Sequence, residues 1–438
     1  MTTLALRPAP LLTRPVLATV GGHFGAAFAA LCMPPFYAHI LQANFALQAP
    51  SLVLAGWYFT LPTLAAALTS PMWGWLADRI GRRAALMRAH AGLCLAFIVT
   101  GLARTPLEFA FGLTLQGLLG GTFSASNAYL ADQLPASRLA AVLGVMQGSA
   151  RAALFAGPAL VGLLEGHTDL LHLFLYLALL PAVACAVLWW LPEQAAHAAP
   201  RVGAVPAWGK GAAQERRASA SQERCASAVQ EHRATAPTHC GAPATVDIAG
   251  RDAAPHATCG INAAALYWLQ AVFTIGTALS SPYFVTDLAD RLHLGAATAG
   301  MLFGLPHAVF LLLAWPLGRR LHFTNAAAAL AGYTALTCAG LLLQLLASGL
   351  AWMVAGRLLM GAGMTGACLA INALAAATVR NERAGRHFGQ LEGASKWGGV
   401  AAGLLASALV APLGYAAPMW LGCALLASLF ISLKWKLS

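Results

Sequence analysis

The stretch Gly74-Trp75-Leu76-Ala77-Asp78-Arg79-Ile80-Gly81-Arg82-Arg83 puts two glycines, one acid and three arginines into ten residues. On either side the chain turns apolar. About 52–75 before it and 84–103 after it hold a single charge between them, Arg88. Each run is long enough to cross roughly 30 Å of hydrocarbon, which takes about 20 helical residues. A short charged turn between two such runs is the pattern of a helical hairpin in a lipid bilayer, with its turn in water.

Composition agrees with that reading along the whole chain. Of 438 residues, 59% are hydrophobic and 9% charged, against about 25% charged in an ordinary soluble domain. The mean hydropathy is +0.68. With 26 Lys+Arg and 15 Asp+Glu there is too little polar surface to keep this chain in water,. A soluble enzyme, a disordered chain and a fibre are excluded. The nine cysteines form no C-x-x-C, and six fall inside apolar runs, where they read as small buried hydrophobes,. Arg7 and Arg14 precede an apolar stretch that outlasts the h-region of a cleaved signal peptide, so the stretch reads as the first transmembrane helix,.

Six apolar segments precede residue 192, at about 17–42, 52–75, 84–103, 107–131, 139–164 and 170–191. Six follow residue 260, at about 261–286, 296–317, 326–347, 350–378, 386–410 and 415–434. Between them, 192–260 holds seven Lys/Arg, six Asp/Glu and four His with no apolar periodicity. Such a segment buries too little to fold and reads as a disordered linker. The expected organisation is a six-helix bundle over 1–191, a cytoplasmic linker over 192–260 and a second six-helix bundle over 261–438.

The basic residues orient this arrangement. Outside the linker and the helix interiors, fourteen lie on the side shared by both termini, among them Arg79, Arg82, Arg83, Arg138, Arg319 and Arg320. Arg104 and Arg291 lie on the other side. Both termini and the linker are therefore expected in the cytoplasm. The net charge of +11 is topological and calls for no nucleic acid.

The two bundles also repeat each other. Adding 245 carries Asn127 to Asn372, Arg138 to Arg383, Gly144 to Gly389, Gly148 to Gly393 and Arg151 to Lys396. Parallel six-helix repeats place a substrate site at their interface and suit a carrier that rocks one half against the other.

With these features in hand, the loop Gly74–Arg83 is seen to resemble the signature loop of the major facilitator superfamily. The resemblance implies an all-α membrane protein of 12 transmembrane helices in two pseudo-symmetric halves. It also implies that Gly74, Asp78, Arg79, Gly81, Arg82 and Arg83 form a conformational latch, Asp78 capping a helix end of the other half in the outward-facing state. The second half keeps Gly318-Arg319-Arg320 but lacks the acid, so the latch is one-sided. Gly144, Gly148, Gly157, Pro158 and Gly162 resemble the family's antiporter motif, with Ala153 and Val161 in place of two glycines. That motif is associated with export coupled to proton entry. A third motif is incomplete: Gln116-Gly117 is present, but Leu113 stands where the family has arginine, and helix ten carries Arg357 instead.

Charges inside a membrane are costly and mark function. Arg151 and Lys396 are symmetry-related cations expected to bind an anionic small molecule, with Asn127, Asn372 and Tyr129 offering hydrogen bonds. An alternative for Lys396 is an internal pair with Glu392, one turn earlier. Proton coupling is expected at Glu392 or, failing it, at His23 or Asp132. His307 reads as a packing residue, and Pro34-Pro35 as a gating kink. The linker's His and Cys are too irregularly spaced for a metal site, so neither metal nor cofactor is called for. The stretches 389–400 and 121–129 more loosely resemble exporters of carboxylate siderophores.

The sequence thus reads as a proton-coupled exporter of a small anionic molecule, with a siderophore as the leading cargo, acting as a monomer in the inner membrane of a bacterium. Its partners are substrate, proton and lipid. A broad multidrug efflux pump and a proton-coupled importer of an organic anion are the alternatives. No nucleophile, base and metal converge as an enzyme would require.

Overall fold

The computed structural model describes residues 13–47, 53–134, 136–191, 262–321, 323–377 and 384–437. The segment read as a linker, 192–260, lies outside them, as do Arg7, Arg380 and Arg383. The described residues are helical apart from short turns and a single bridge between Glu165 and Thr168.

In the first repeat the helices are α1 (Arg14–Leu31), α2 (Tyr37–Phe45), α3 (Leu54–Ile80), α4 (Arg82–Gly101), α5 (Pro106–Leu119), α6 (Thr122–Gln133), α7 (Ala136–Leu164), α8 (Leu170–Leu177) and α9 (Leu179–Trp190). In the second they are α10 (Ala263–Ala278), α11 (Phe284–Leu292), α12 (Ala296–Gly318), α13 (Phe323–Leu345), α14 (Leu350–Ala377), α15 (Ala384–Leu413) and α16 (Ala417–Leu437). Taken as crossings, α1–α2, α5–α6, α8–α9 and α10–α11 are each one interrupted segment. The observed runs then follow the twelve apolar segments. Among the described residues, nine of these are long and apolar enough to cross a membrane. The other three are α3, which carries Pro62, Pro71 and several hydroxyl and aromatic residues, α5–α6, whose two pieces are separately short, and α7, which carries Gln147 and Arg151.

Local chemistry sets the interruptions. Pro34 and Pro35 cannot donate backbone hydrogen bonds, and a 3-10 turn over Pro34–Phe36 joins α1 to α2. Its repeat partner is the turn Ser281–Tyr283 between α10 and α11. The symmetry extends to the caps: Ala46 (φ 51°) and His293 (φ 52°) end α2 and α11 in the same left-handed conformation. Sequence reading makes one helix of 107–131. The chain instead breaks at Gly120-Gly121, where Gly121 takes φ 90°, a region open to glycine at little steric cost,. Arg88 on α4 holds that break, donating to the Leu119 carbonyl at 2.6 Å and the Gly120 carbonyl at 3.2 Å.

The repeats meet along two helix pairs, α7 with α12 and α3 with α15, and through their two 3-10 turns. Small residues let backbones approach where lipid gives no hydrophobic drive between helices. Gly300 and Gly304 of α12 lie against the backbones of Pro158 and Phe155 on α7, too close to admit a side chain. Gly56 on α3 and Gly403 on α15 are packed together in the same way. Tyr283 locks this second contact. Its hydroxyl accepts from the Gly56 N–H at 3.0 Å and donates to the Val53 carbonyl at 2.7 Å.

Candidate translocation cavity

Between the repeats lies a cavity of about 300 Å³ with walls from α1, α3, α7, α10, α12, α14 and α15. Two arginines enter it from opposite repeats. Arg357 on α14 is buried, and its position follows from Pro306. That proline leaves the Leu302 carbonyl, four residues earlier on α12, without its helical donor. The Arg357 guanidinium replaces it, donating from Nε to Leu302 O at 2.8 Å and from Nη2 to Phe303 O at 2.5 Å. The same group lies 4.4 Å from the Phe284 ring centroid, a cation–π contact,. Arg357 is therefore braced without any carboxylate.

Arg151 on α7 is half-buried and less constrained. Its Nη1 stands 3.3 Å from Nδ1 of His307, and its guanidinium 4.8 Å from the Phe310 ring centroid. The guanidinium has only donors, so Nδ1 accepts and the imidazole proton belongs on Nε2. The contact joins the two repeats across the cavity.

No Asp or Glu stands among the described residues of the wall. None of the four ion pairs among the described residues involves Arg151 or Arg357. A strip of neutral polar groups faces these cations. Gln270, Thr274, Thr277 and Ser281 follow a three-and-four spacing along α10 and the turn after it, one helical face,. Gln270 donates to Thr274 at 3.1 Å, and Thr274 lies 3.4 Å from Ser395 on α15. Phe59, Phe273, Phe303, Phe310, Met360 and Met364 supply apolar wall. Chemically this is a site for an anion that also carries hydrogen-bonding and apolar parts.

A profile of the Major Facilitator Superfamily matches residues 16–237, just over half of the chain. The chain belongs to the major facilitator superfamily. It is a multi-pass membrane protein of that fold. A multidrug resistance protein, MdtG, of Salmonella paratyphi C is 33% identical over 150 residues, 34% of this chain and 37% of that protein. The staphyloferrin B transporter of Staphylococcus aureus is 33% identical over 124 residues, 28% of this chain and 30% of that protein. The chain thus spans about a third of the length of these curated relatives. Two solved structures share the fold over nearly the whole chain. The human organic anion transporter MFSD10 has a TM-score of 0.64 at 16% identity, covering 96% of this chain and 99% of its own. The POT family transporter PepTSo has a TM-score of 0.70 at 14% identity, covering 98% of each.

The superfamily's motifs take distinct places. Gly157 of the antiporter-like motif lies against Cys32, Pro158 presents its carbonyl to Gly300, and Gly162 lies against Ala296. Gly144 and Gly148, nearer the start of α7, face open space. In the loop motif, Gly74 also faces open space, and Gly81 turns the chain at φ 89°. Arg79 stacks on Trp75 at 3.9 Å, and Arg82 pairs with Asp132 at 2.9 Å. Arg83 donates to the carbonyls of Leu188, Trp189 and Leu191 at the end of α9. Asp78 is exposed and makes no ion pair with a described residue.

Of the residues expected to bind substrate, Arg151 lines the cavity. Lys396 is half-buried beside the lining residue Ser395, and no ion pair joins it to the exposed Glu392 among the described residues. Asn127 is half-buried with its Oδ1 unpartnered, and Asn372 is exposed, 3.8 Å from the Cys368 sulfur. Tyr129 packs with Leu86 and Leu188 inside the first repeat. His23 is enclosed and lies 5.2 Å from the Phe123 ring. Sequence reading passes over the cavity roles of His307 and Arg357. The available signal was the proline four residues after Leu302, opposite an arginine with no acid to pair.

Proposed function

We propose that this chain exports a small organic anion from the cytoplasm in exchange for protons, by alternating access between its two six-helix halves. The observation that carries this reading is the cavity: two arginines, a histidine and a strip of hydroxyl and amide groups, with no carboxylate among its described wall residues. An unpaired cation inside a membrane protein calls for a counter-charge, and an anionic cargo supplies one. A hydroxy-polycarboxylate of the siderophore type suits both the cations and the α10 strip. The similarity to the staphyloferrin B transporter supports the same class.

In this reading Arg151 and Arg357 contact the cargo, and Lys396, Asn127 and Asn372 join as the halves rock. The basic end, with Arg79, Arg82, Arg83, Arg319 and Arg320, faces the cytoplasm. The α7–α12 and α3–α15 interlocks then close the opposite end, and the unpaired Asp78 fits a latch that engages in the other state. The linker over 192–260 joins two halves that move against each other. Among the proton-carrying candidates, Glu392 is exposed and Asp132 is paired with Arg82, while His23 is buried.

Multidrug efflux is the second reading, favoured by the phenylalanines and methionines of the wall and by the similarity to MdtG. Everted membrane vesicles separate the two. The anion reading expects acidification of the lumen to drive uptake of citrate-type polycarboxylates. Arg151→Ala should cut that uptake roughly tenfold or more, the effect of losing about 1.4 kcal/mol of binding. Ethidium uptake that falls equally in Arg151→Ala, with no anion uptake in the wild type, overturns it. Uptake of the anion only by right-side-out vesicles makes the protein an importer.

A further inference from the structure

The α7–α12 seam between the repeats descends in antiparallel steps. Gly162 lies against the backbone of Ala296, Gly300 against that of Pro158 and Gly304 against that of Phe155. One turn further along, the rung changes character. Arg151 meets His307 side chain to side chain, with Nη1 3.3 Å from Nδ1. Beyond it the helices part: a side chain begun at Gly148 or Gly144 of α7, or at Gly318 of α12, meets no described neighbour within 4 Å. The seam thus ends at the cavity on a rung made by two polar side chains, both of which line that cavity.

The two cavity arginines are held differently. Arg357 gives Nε and Nη2 to the Leu302 and Phe303 carbonyls of α12, so an incoming anion meets a guanidinium already fixed in place. Arg151 rests on a neutral acceptor, the bare Nδ1 of His307, and on the Phe310 ring one turn along α12. Glu165, at the far end of α7, stands 3.3 Å from His39, and none of the described wall residues is an Asp or Glu. Among the described residues, therefore, no internal carboxylate competes for Arg151.

A carboxylate takes two guanidinium N–H groups at once, and charge-assisted bonds of that kind are about twice as strong as neutral ones. It outcompetes a single imidazole nitrogen. We propose that His307 is a positioning residue that holds Arg151 in the empty chain and yields it to the cargo, so that loading the cavity unfastens the last rung of the α7–α12 seam. The proposal rests on the anion reading above and names the residue through which the occupied site acts on the contact between the halves. Arg357 stays on α12 while Arg151 changes partner. Cargo binding and release of the rung are then one event, and the cargo shifts the balance between the two arrangements by as much as it favours the unfastened one.

Two replacements of His307 separate this role from packing. Asn keeps an oxygen acceptor near the place of Nδ1, and Leu keeps bulk without an acceptor. Spin labels on non-natural residues at Val145 of α7 and Leu312 of α12, both exposed beyond the rung, report how far the helices part in the full chain in lipid nanodiscs. In cargo-free protein, His307→Leu should raise the population with a shortened label distance about fivefold, the effect of losing one ordinary hydrogen bond. His307→Asn should keep the wild-type distribution. Arg151→Ala breaks the rung from the other side and should match His307→Leu, and the double variant should add nothing further. Citrate should shorten the distance in the wild type and change it little in His307→Leu. Citrate affinity, read by tryptophan fluorescence, should rise in His307→Leu by a similar factor, because Arg151 no longer leaves an acceptor. Leu and Asn variants that behave alike, both shifted or both unshifted, overturn the proposal. So does a His307→Leu variant that loses citrate affinity as Arg151→Ala does, which makes His307 part of the binding site itself. If the cargo-free distances follow the proposal and the wild type binds no citrate, the anion reading fails and the rung stands as a tie between the halves.

Discussion

The two repeats bury titratable groups in opposite ways. In the second, Arg357 donates to the Leu302 carbonyl that Pro306 frees and to the Phe303 carbonyl beside it, and rests on Phe284. In the first, His23 and His90 are equally enclosed and bond to no described residue. One group holds α12 and α14 together through its hydrogen bonds, and the two histidines make none among the described residues. The lesson is that burial alone does not mark a functional residue. What matters is whether the fold has satisfied it: Arg357 is met by neighbouring carbonyls, and the two histidines meet no partner among the described residues.

The largest expected effect breaks the satisfied side. Arg357→Met should leave the buried Leu302 carbonyl without a donor, at a cost on the order of 1–3 kcal/mol. It should appear as a clear fall in the thermal midpoint of the purified protein. Arg357→Lys should fall between, since an ammonium has no planar fork to reach both carbonyls. A Met variant as stable as wild type would remove the brace from the account and with it the contrast between repeats.

A smaller effect is expected where the repeats touch. Tyr283→Phe removes the hydroxyl that bonds Val53 and Gly56 across the interface. Losing about 1 kcal/mol there should raise the population opened at that end roughly fivefold. Distances between spin labels on α2 and α11 should report it. An unchanged distance distribution means Tyr283 packs without gating.

Much of the fold was legible because membrane crossing leaves so coarse a trace. Apolar runs of about 20 residues and the placement of arginines outline the crossings, and Gly81 marks its turn plainly. The break at Gly120-Gly121 was not legible, because two adjacent glycines inside an apolar run look like a packing face until the φ of Gly121 is known. The site divided in the same way. Arg151 stood out as a charge within a helix. Arg357 and His307 depended on which carbonyl Pro306 frees and on which ring faces Arg151 across the repeats, and spacing along one helix carries neither. His90 gave no signal, since a lone histidine in an apolar helix is ordinary until its burial without a partner among the described residues is known.

The absence of any Asp or Glu among the described residues of the cavity wall is the point on which the functional reading turns, and equilibrium binding reaches it without knowledge of the natural cargo. Citrate, as a simple hydroxy-polycarboxylate, and tetraphenylphosphonium, as an organic cation, are titrated into the purified chain and into Arg151→Ala, with tryptophan fluorescence as the readout. The account expects citrate to bind, to weaken as salt rises, and to lose roughly tenfold or more in affinity in the variant, with no binding of the cation. Binding of the cation by both proteins, with citrate bound by neither, contradicts it.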